Sequence, residues 1–270
     1  ATAFFCDSIL GISEEDLNKV LSLQDSYRRK EIPKKNGGVR IIFAPHPELK
    51  KVQKKILRRL LYCFKVDSRL HAFVRGRSHI TNAAFHASAM PRVVLRLDFK
   101  DAFPSVRAGH IRPILKEKIG GALSMSAEFL DAFSQHKKKS HQQLKLFVPN
   151  EKSPFEAALD EILDIILALT TFRGRLTQGA PTSPYLLNLV VSYSGLLDEV
   201  GKVIREQKIT SDHYLEEKKG GKKFFWDDSF VSLEKPPQVR FSFYSDDLTI
   251  SSSRSISGKA IREIIRVIEN

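Results

Sequence analysis

The stretch VRFSFYSDDLTISS, residues 239–252, alternates in hydrophobicity on both sides of a polar centre, which is typical of two strands joined by a tight turn. A second run, RVVLRLD at residues 92–98, is predicted to be a buried strand that ends on a carboxylate. The hairpin would present Asp246 and Asp247 at its turn, and the other strand would present Asp98 at its end. The sequence therefore predicts three carboxylates on neighbouring strands.

Three carboxylates in such an arrangement suit a metal site. Divalent cations take hard oxygen ligands, and two such ions about 3.5 to 4 Å apart can catalyse phosphoryl transfer by activating the attacking hydroxyl and clamping the leaving group. Each signal is weak by itself, because an Asp at a strand end or in a turn is more often a cap or a turn former. The Asp246–Asp247 pair gains meaning only from its context.

Elsewhere the periodicity predicts helices and strands without strict alternation, which indicates an α+β fold in which helices back a mainly antiparallel sheet. The turn signal Asn36-Gly37-Gly38 precedes a predicted strand at residues 39–43 and indicates a further hairpin. Ser13 and Ser257 are predicted helix caps. The predicted helices are residues 14–23, 47–64, 79–89, 107–119, 155–171, 184–206 and a last one after Ser257.

The composition favours a polyanionic partner. The 270 residues suffice for one large domain or two closely associated ones. Lys and Arg number 44 against 31 Asp and Glu, and the net charge of +13 suits a nucleic acid first and an anionic membrane surface second. Cys6 and Cys63 offer no disulfide framework, which fits a reducing cytosol. Because no run approaches the roughly 18 uncharged apolar residues of a membrane span, we expect a cytoplasmic protein without a membrane partner.

Three motifs resemble, in the same order, the palm motifs of reverse transcriptases: LDFKDAF at 97–103, QGAPTSP at 178–184 and YSDD at 244–247. Asn36–Gly38 with Arg40 and Pro45 resembles the first fingers block of that family, and RGRS at 75–78 resembles the second. The resemblance implies a right-hand polymerase fold with fingers and palm. It also implies an RNA-directed DNA polymerase that uses two Mg²⁺ ions, with Mn²⁺ as an alternative. The implied catalytic carboxylates are Asp98, Asp246 and Asp247, and the implied metal ligands are these three and the backbone carbonyl of Phe99.

Further motif residues imply contacts with an incoming deoxynucleoside triphosphate. Phe103 matches the steric gate, where a bulky ring under the sugar would reject a 2′-hydroxyl, although a core phenylalanine would leave the same pattern. Gln178 and Gly179 match the motif that lines the nucleotide pocket, although an ordinary turn before a helix would also suit them. Four basic residues match the fingers positions that grip the triphosphate, with a solvated surface role as the alternative: Lys34, Lys35, Arg40 and Arg77.

The segment NAAFH, residues 82–86, resembles the NAxxH element of retron reverse transcriptases, and QGAPTSP points the same way. A retron enzyme is bacterial, binds a structured noncoding RNA and copies part of it, from a guanosine 2′-hydroxyl, into RNA-linked DNA (msDNA). Such enzymes commonly act with an effector protein in antiphage defence. A helix cap and a satisfied histidine remain the alternative for Asn82 and His86. Two rival functions also remain: another bacterial reverse transcriptase, defence-associated or of group II intron type, and a non-catalytic RNA-binding scaffold.

The resemblance also suggests a division of the chain. We expect N-terminal helices and fingers in 1–90, palm with the first catalytic Asp in 91–120, an insert and the fingers–palm connection in 121–183, and palm with the YSDD hairpin in 184–270. Lysine-rich inserts are predicted at 121–153 and 207–238, either solvated or in contact with RNA or protein. Only 23 residues follow Asp247 (270 minus 247), so we expect this chain to lack the thumb.

Overall fold

The computed structural model describes residues 2–33, 37–124, 153–206 and 239–269. Lys34, Lys35 and almost all of the two lysine-rich inserts lie outside these residues. The contacts between residues divide the chain into two compact units. Unit 1 comprises Ala1–Val66 and Asp101–Val190, and unit 2 comprises Asp67–Lys100 and Val191–Asn270.

Helices and strands mix irregularly along the chain, as predicted for an α+β fold. The helices are α1 Thr2–Phe4, α2 Glu14–Leu21, α3 Pro47–Arg59, α4 His79–Ala87, α5 Ala102–Ser105, α6 Ala108–Ser124, α7 Pro154–Thr170, α8 Ser183–Tyr193, α9 Leu196–Glu206 and α10 Gly258–Glu269, with a π-helical turn at Phe5–Leu10 and a 3₁₀ turn at Leu61–Cys63. The strands are β1 Tyr27–Pro33, β2 Val39–Pro45, β3 Val93–Asp98, β4 Val239–Tyr244 and β5 Asp247–Ser252. Among these described helices, none combines the length and the apolar character needed to cross a membrane.

Local sequence explains where several helices begin. The Ser13 hydroxyl accepts a hydrogen bond from the Asp16 amide at 3.0 Å, and the Ser257 hydroxyl accepts one from the Ala260 amide at 3.1 Å. Each bond satisfies an amide that the first helical turn leaves without a backbone partner. Both predicted caps are therefore confirmed.

Unit 1 contains the hairpin of β1 and β2, which pair antiparallel from Tyr27 opposite Pro45 to Pro33 opposite Val39. Helix α3 is amphipathic, and its buried side includes Gln53. The Gln53 side-chain amide donates to the Tyr27 hydroxyl at 2.7 Å and to the Leu169 carbonyl at 2.8 Å. Burial raises the pKa of Tyr27 to about 12. A buried polar group thus links α3 to the hairpin and to the end of α7.

Unit 2 contains a three-stranded antiparallel sheet in the order β3-β5-β4. Side chains along a strand alternate between the two faces, and one face is apolar, with Leu248 and Ile250 buried at its centre. The strand registers place a second set of side chains on the opposite face. We call it the polar face, and it carries Val94, Arg96, Asp98, Asp247, Thr249, Ser251, Arg240, Ser242 and Tyr244.

Helix α3 ends at Arg59, before the predicted end at residue 64, and two further elements differ from the sequence prediction. The predicted single helix at 184–206 is wrong, because α8 ends at Tyr193 and Gly195 adopts φ 84°, a left-handed conformation that favours glycine and ends a helix. The prediction that β3 is buried is also wrong. Its residues alternate between partly covered and exposed, and the Val94 residue is 59% exposed. An edge strand with one open face explains this, since apolar character alone does not specify burial on both sides.

Candidate active site

A two-residue turn joins β4 to β5. Tyr244 lies opposite Asp247 in the strand register, so Ser245 and Asp246 form the turn. Ser245 adopts φ 63°, an uncommon conformation for a residue other than glycine. Such a conformation costs on the order of 1 to 3 kcal/mol and persists only where the surrounding structure enforces it. The strands on either side of this turn therefore hold it in a strained form.

The turn brings the three predicted carboxylate residues to one end of the sheet. Asp98, the last residue of β3, lies directly opposite Asp247, the first residue of β5. The Phe99 amide donates a hydrogen bond to the Asp246 carbonyl at 2.8 Å, which ties the segment after β3 to the turn. Side chains directly opposite each other in antiparallel strands have Cβ atoms about 4.5 to 5.5 Å apart. Two carboxylates in this relation repel each other unless a cation neutralises them.

Arg96 supplies positive charge at this end. Its Nε donates to Asp247 Oδ1 at 2.9 Å and its Nη2 donates to Oδ2 at 2.6 Å. The Asp247 side chain is 17% exposed and the Arg96 side chain 70% exposed. The hydrogen bonds to Asp247 raise the pKa of Arg96. Sequence reasoning missed Arg96, although its position two residues before Asp98 places both on the same face of the strand.

These residues fit a divalent cation by donor type and by backbone placement. Carboxylate oxygens are the ligands that Mg²⁺ and Mn²⁺ prefer, and Asp98, Asp246 and Asp247 meet at one end of one sheet. Within the described ranges, however, no three His, Cys, Asp or Glu side chains converge into a group that could hold a metal ion. The Asp247 carboxylate is bound to Arg96 instead, so a cation at this end would compete with Arg96 for it.

Unit 1 brings Gln178 and Gly179 together with strand β2. The Phe43 amide donates to the Gln178 carbonyl at 3.2 Å. Gly179 adopts φ 111°, and a Cβ added there would lie 3.3 Å from the Phe43 carbonyl oxygen. Glycine is therefore required at this position by the backbone of the protein itself. Arg40 lies exposed on the same strand, three positions before Phe43.

The other nucleotide candidates have different surroundings. Phe103 lies in the short helix α5 and is 7% exposed. In this conformation it is buried, as expected for a core phenylalanine. Arg77 Nη1 donates to the Asp67 carbonyl at 2.8 Å and to the Leu70 carbonyl at 2.6 Å, so this guanidinium holds a loop of unit 2. Arg40, Phe103, Gln178 and Gly179 belong to unit 1, whereas the three carboxylates and Arg77 belong to unit 2.

Asn82 and His86, the two defining residues of the NAAFH segment, lie on α4 and are bonded to the polar face. Ser242 donates to the side-chain oxygen Oδ1 of Asn82 at 2.6 Å, and the His86 ring lies within 2.7 Å of both the Ser242 and Ser251 hydroxyls. This is the satisfied histidine that the sequence left as an alternative. Ser242 and Ser251 were not predicted, because no local signal distinguishes them from other strand serines.

Comparison with known proteins identifies relatives over most of the chain. The family model described as reverse transcriptase (RNA-dependent DNA polymerase) matches residues 32–270. The Retron Mx65 reverse transcriptase of Myxococcus xanthus is 36% identical over 161 residues, which are 59% of this chain and 32% of that protein. The Retron Mx162 reverse transcriptase of the same species is 34% identical over 157 residues, 58% of this chain and 28% of that protein. The matched part thus spans about a third of the length of these relatives, which confirm the predicted retron resemblance.

One solved structure, apo telomerase from Candida tropicalis truncated from the C-terminal domain, aligns with 93% of this chain and 48% of its own length. Its sequence identity is 13% and the TM-score is 0.39, which is too low to add to the case from the sequence relatives. The family match and the antiparallel sheet confirm the prediction of a right-hand polymerase fold. The chain belongs to the reverse transcriptase (RNA-dependent DNA polymerase) family.

Proposed function

We propose that this protein is an RNA-directed DNA polymerase of retron type, which copies part of a structured noncoding RNA into RNA-linked DNA by two-metal nucleotidyl transfer. The observation that carries the proposal is the placement of Asp98 opposite Asp247, with Asp246 in the adjoining turn, at an accessible end of the polar face. The intact carboxylates argue against a non-catalytic scaffold. In this proposal the sheet of unit 2 is the palm.

The three carboxylates and the Phe99 backbone carbonyl would hold two Mg²⁺ ions, or Mn²⁺ in their place. The bound ions would supply an activated primer hydroxyl and a neutralised triphosphate. The chain must do the rest. Arg96 would neutralise Asp247 before an ion binds and would yield this carboxylate, wholly or in part, to the bound ion.

Nucleotide binding is assigned by the motifs. Arg40, exposed on β2, would contact the triphosphate as a bidentate donor, together with Lys34 or Lys35. Gln178 would bond to sugar or base, with Gly179 keeping the adjacent backbone in place. Phe103 would exclude a 2′-hydroxyl once its ring is turned toward the sugar. Arg77 would act from its loop in a subsidiary role.

The partners follow from the retron relatives and from charge. Both relatives from Myxococcus xanthus are retron reverse transcriptases, and the net charge of +13 supports a nucleic-acid partner. We therefore propose a structured noncoding RNA as template and primer, its DNA product, deoxynucleoside triphosphates, and an effector protein in antiphage defence. Sequencing the nucleic acid that copurifies with the protein separates this reading from other bacterial reverse transcriptases. A single structured RNA joined to DNA through a 2′ linkage supports it.

The catalytic assignment is tested by Asp246→Asn. We expect this variant to lose Mg²⁺-dependent deoxynucleotide incorporation on an RNA template while it still binds RNA. The control is Asp198→Asn on α9, a carboxylate of the same unit whose side chain is 89% exposed. Equal incorporation by Asp246→Asn and the unmodified protein would remove Asp246 from the site and with it the proposed mechanism.

A further inference from the structure

Helix α4 is attached to the polar face by a chain of side-chain hydrogen bonds. The side-chain oxygen Oδ1 of Asn82 accepts from the Ser242 hydroxyl at 2.6 Å. His86 Nε2 lies 2.7 Å from that same hydroxyl, and His86 Nδ1 lies 2.7 Å from the Ser251 hydroxyl. The chain therefore runs Asn82, Ser242, His86, Ser251, and it joins one helix to two strands.

The proton positions in this chain follow from its chemistry. A serine hydroxyl has one proton, and that of Ser242 is donated to Asn82. Ser242 must then accept from His86 Nε2, which fixes the tautomer with the proton on Nε2. In the neutral ring Nδ1 is left as an acceptor, so Ser251 donates to it. Asn82 Oδ1, the two serine hydroxyls and the two ring nitrogens of His86 then each have a partner of the correct type.

Burial increases the free-energy cost of losing any of these hydrogen bonds. His86 is 6% exposed, and Ser242 and Ser251 are fully buried. Burial lowers the pKa of His86, and the positive charges of His71 and Arg240 lower it further. Arg240 donates to the Phe85 carbonyl at 2.6 Å and stacks over the Phe85 ring at 5.1 Å. Removing one partner from a buried chain leaves another polar atom unsatisfied, which costs more than the bond itself contributes.

The two serines lie on the two strands that enter and leave the YSDD turn. Ser242 stands two residues before Tyr244 on β4, and Ser251 stands four residues after Asp247 on β5. Both are on the same face as Asp98 and Asp247. An isolated two-stranded hairpin is marginally stable, and this one also holds Ser245 in a strained conformation. Contacts beyond the β4–β5 pairing therefore add to its stability: β3 pairs along β5, and α4 is bonded to both strands of the hairpin.

We propose that Asn82 and His86 are positioning residues, which act through Ser242 and Ser251 to hold the β4–β5 hairpin in the geometry that presents Asp246 and Asp247. The proposal rests on the proposed function, because it concerns the same carboxylates. It gives the NAAFH segment a role within the protein rather than a contact with RNA. Groups bonded directly to metal ligands typically contribute ten- to a hundredfold to activity or metal affinity, and for Asn82 and His86, which act through the strands, we expect the lower end of that range.

The test compares two serines on one strand. Ser251→Ala removes the donor to His86, whereas Ser252→Ala is the matched control. Ser252 is equally buried but lies on the opposite face of the sheet. The one hydrogen bond described for its hydroxyl comes from the Arg254 amide at 3.0 Å. We expect Ser251→Ala and Ser242→Ala to lower the rate constant of single-nucleotide incorporation about tenfold or more, with primer–template affinity unchanged. Ser252→Ala should keep the rate of the unmodified protein.

A double-mutant cycle with His86→Leu supplies the readout that a merely structural role would not change. We expect the losses in the incorporation rate from His86→Leu and Ser251→Ala to be strongly non-additive, since both break one chain. Coupling in the free energy of unfolding without coupling in the rate would overturn the proposal. So would a selective loss of RNA binding in Asn82→Ala, which would favour an RNA contact.

Binding of Mn²⁺ provides a measurement that does not depend on polymerase activity. We expect Ser242→Ala to weaken Mn²⁺ binding, followed by the electron paramagnetic resonance of the free ion, about tenfold relative to Ser252→Ala. Equal affinities in the two variants would contradict positioning of the carboxylates. This outcome is separable from failure of the proposed function, in which Asp246→Asn itself would bind Mn²⁺ and incorporate nucleotides like the unmodified protein.

Discussion

The two ends of the polar face differ in almost every physical respect. At one end Asp98 is exposed. Among the described side chains, only the long side chain of Arg96 is seen to bind Asp247 there. At the other end Ser242, Ser251 and His86 are buried and fully hydrogen-bonded. The same strands run through both ends. The difference teaches that one sheet combines an end open to solvent, where we propose that a cation binds, with a buried end, which we propose fixes the backbone of the β4–β5 hairpin.

The largest expected effect breaks the exposed end alone. Asp98→Asn should reduce nucleotide incorporation roughly a thousandfold, equivalent to about 4 kcal/mol of transition-state stabilisation, because it removes a carboxylate from the proposed metal site. The unfolding temperature should change little, since the residue is exposed. Single-turnover kinetics and calorimetry measure the two quantities, with Asp198→Asn as the control. A large loss of stability would show that the exposed end is structural as well.

The second effect breaks the buried end alone. Asn82→Ala leaves the Ser242 hydroxyl without its acceptor and should lower the free energy of unfolding by about 1 to 2 kcal/mol. His79→Ala, an exposed residue at the start of the same helix, should cost much less. Urea denaturation measures both. Equal stability of the two variants would mean that the hydrogen-bonded chain contributes nothing to the fold.

The third effect is a pH dependence of the free energy of unfolding, which arises from the buried histidines His86 and His71. The pKa of His86 is lowered by burial, His71 and Arg240, below its ordinary value of about 6.5. As pH falls below about 6.5, His86 is protonated in the unfolded chain but stays neutral in the folded chain. Protonation therefore stabilises the unfolded state, and the free energy of unfolding falls. His71, whose pKa is lowered by burial and then by Arg77, contributes with the same sign.

His86→Gln should therefore flatten the fall in unfolding free energy between about pH 7.5 and pH 5.5 without abolishing it, because His71 remains. The control Ile80→Gln should keep the full slope, since it introduces the same residue at an exposed position of the same helix that carries no titratable group. Denaturant titrations at several pH values measure the slopes. An unchanged slope in His86→Gln would show that His86 titrates alike in the folded and unfolded chains.

The smallest effect concerns Arg96. Arg96→Gln removes the guanidinium that competes with a cation for Asp247, so the Mg²⁺ concentration for half-maximal incorporation should fall about two- to fivefold, as expected for an exposed ion pair. Arg92→Gln, an exposed arginine just before the same strand, is the control. A higher Mg²⁺ requirement in Arg96→Gln would show that Arg96 orients Asp247 for the ion instead of competing with it.

Local patterns predicted much of the fold and the placement of Asp98, Asp246 and Asp247 on neighbouring strands. Alternation around YSDD placed β4 and β5, and capping serines placed the starts of α2 and α10. The pattern failed where neighbours decide the outcome. Apolar spacing on both sides of Gly195 concealed the break between α8 and α9, and an apolar run in β3 did not reveal that one side is open. Burial of a strand depends on what packs against it, and the sequence of the strand alone does not specify those neighbours.

By itself the sequence determined that three aspartates stand at strand ends and in a turn, and where those strands lie, because alternation and turn chemistry act over a few neighbouring residues. Only the tertiary structure decided the partners. His86 and Ser251 are 165 positions apart, and Arg96 and Asp247 are 151 apart. Hydrogen bonds of about 3 Å between such distant positions depend on how α4 packs on the sheet and on how its strands are registered. No local preference encodes those distances.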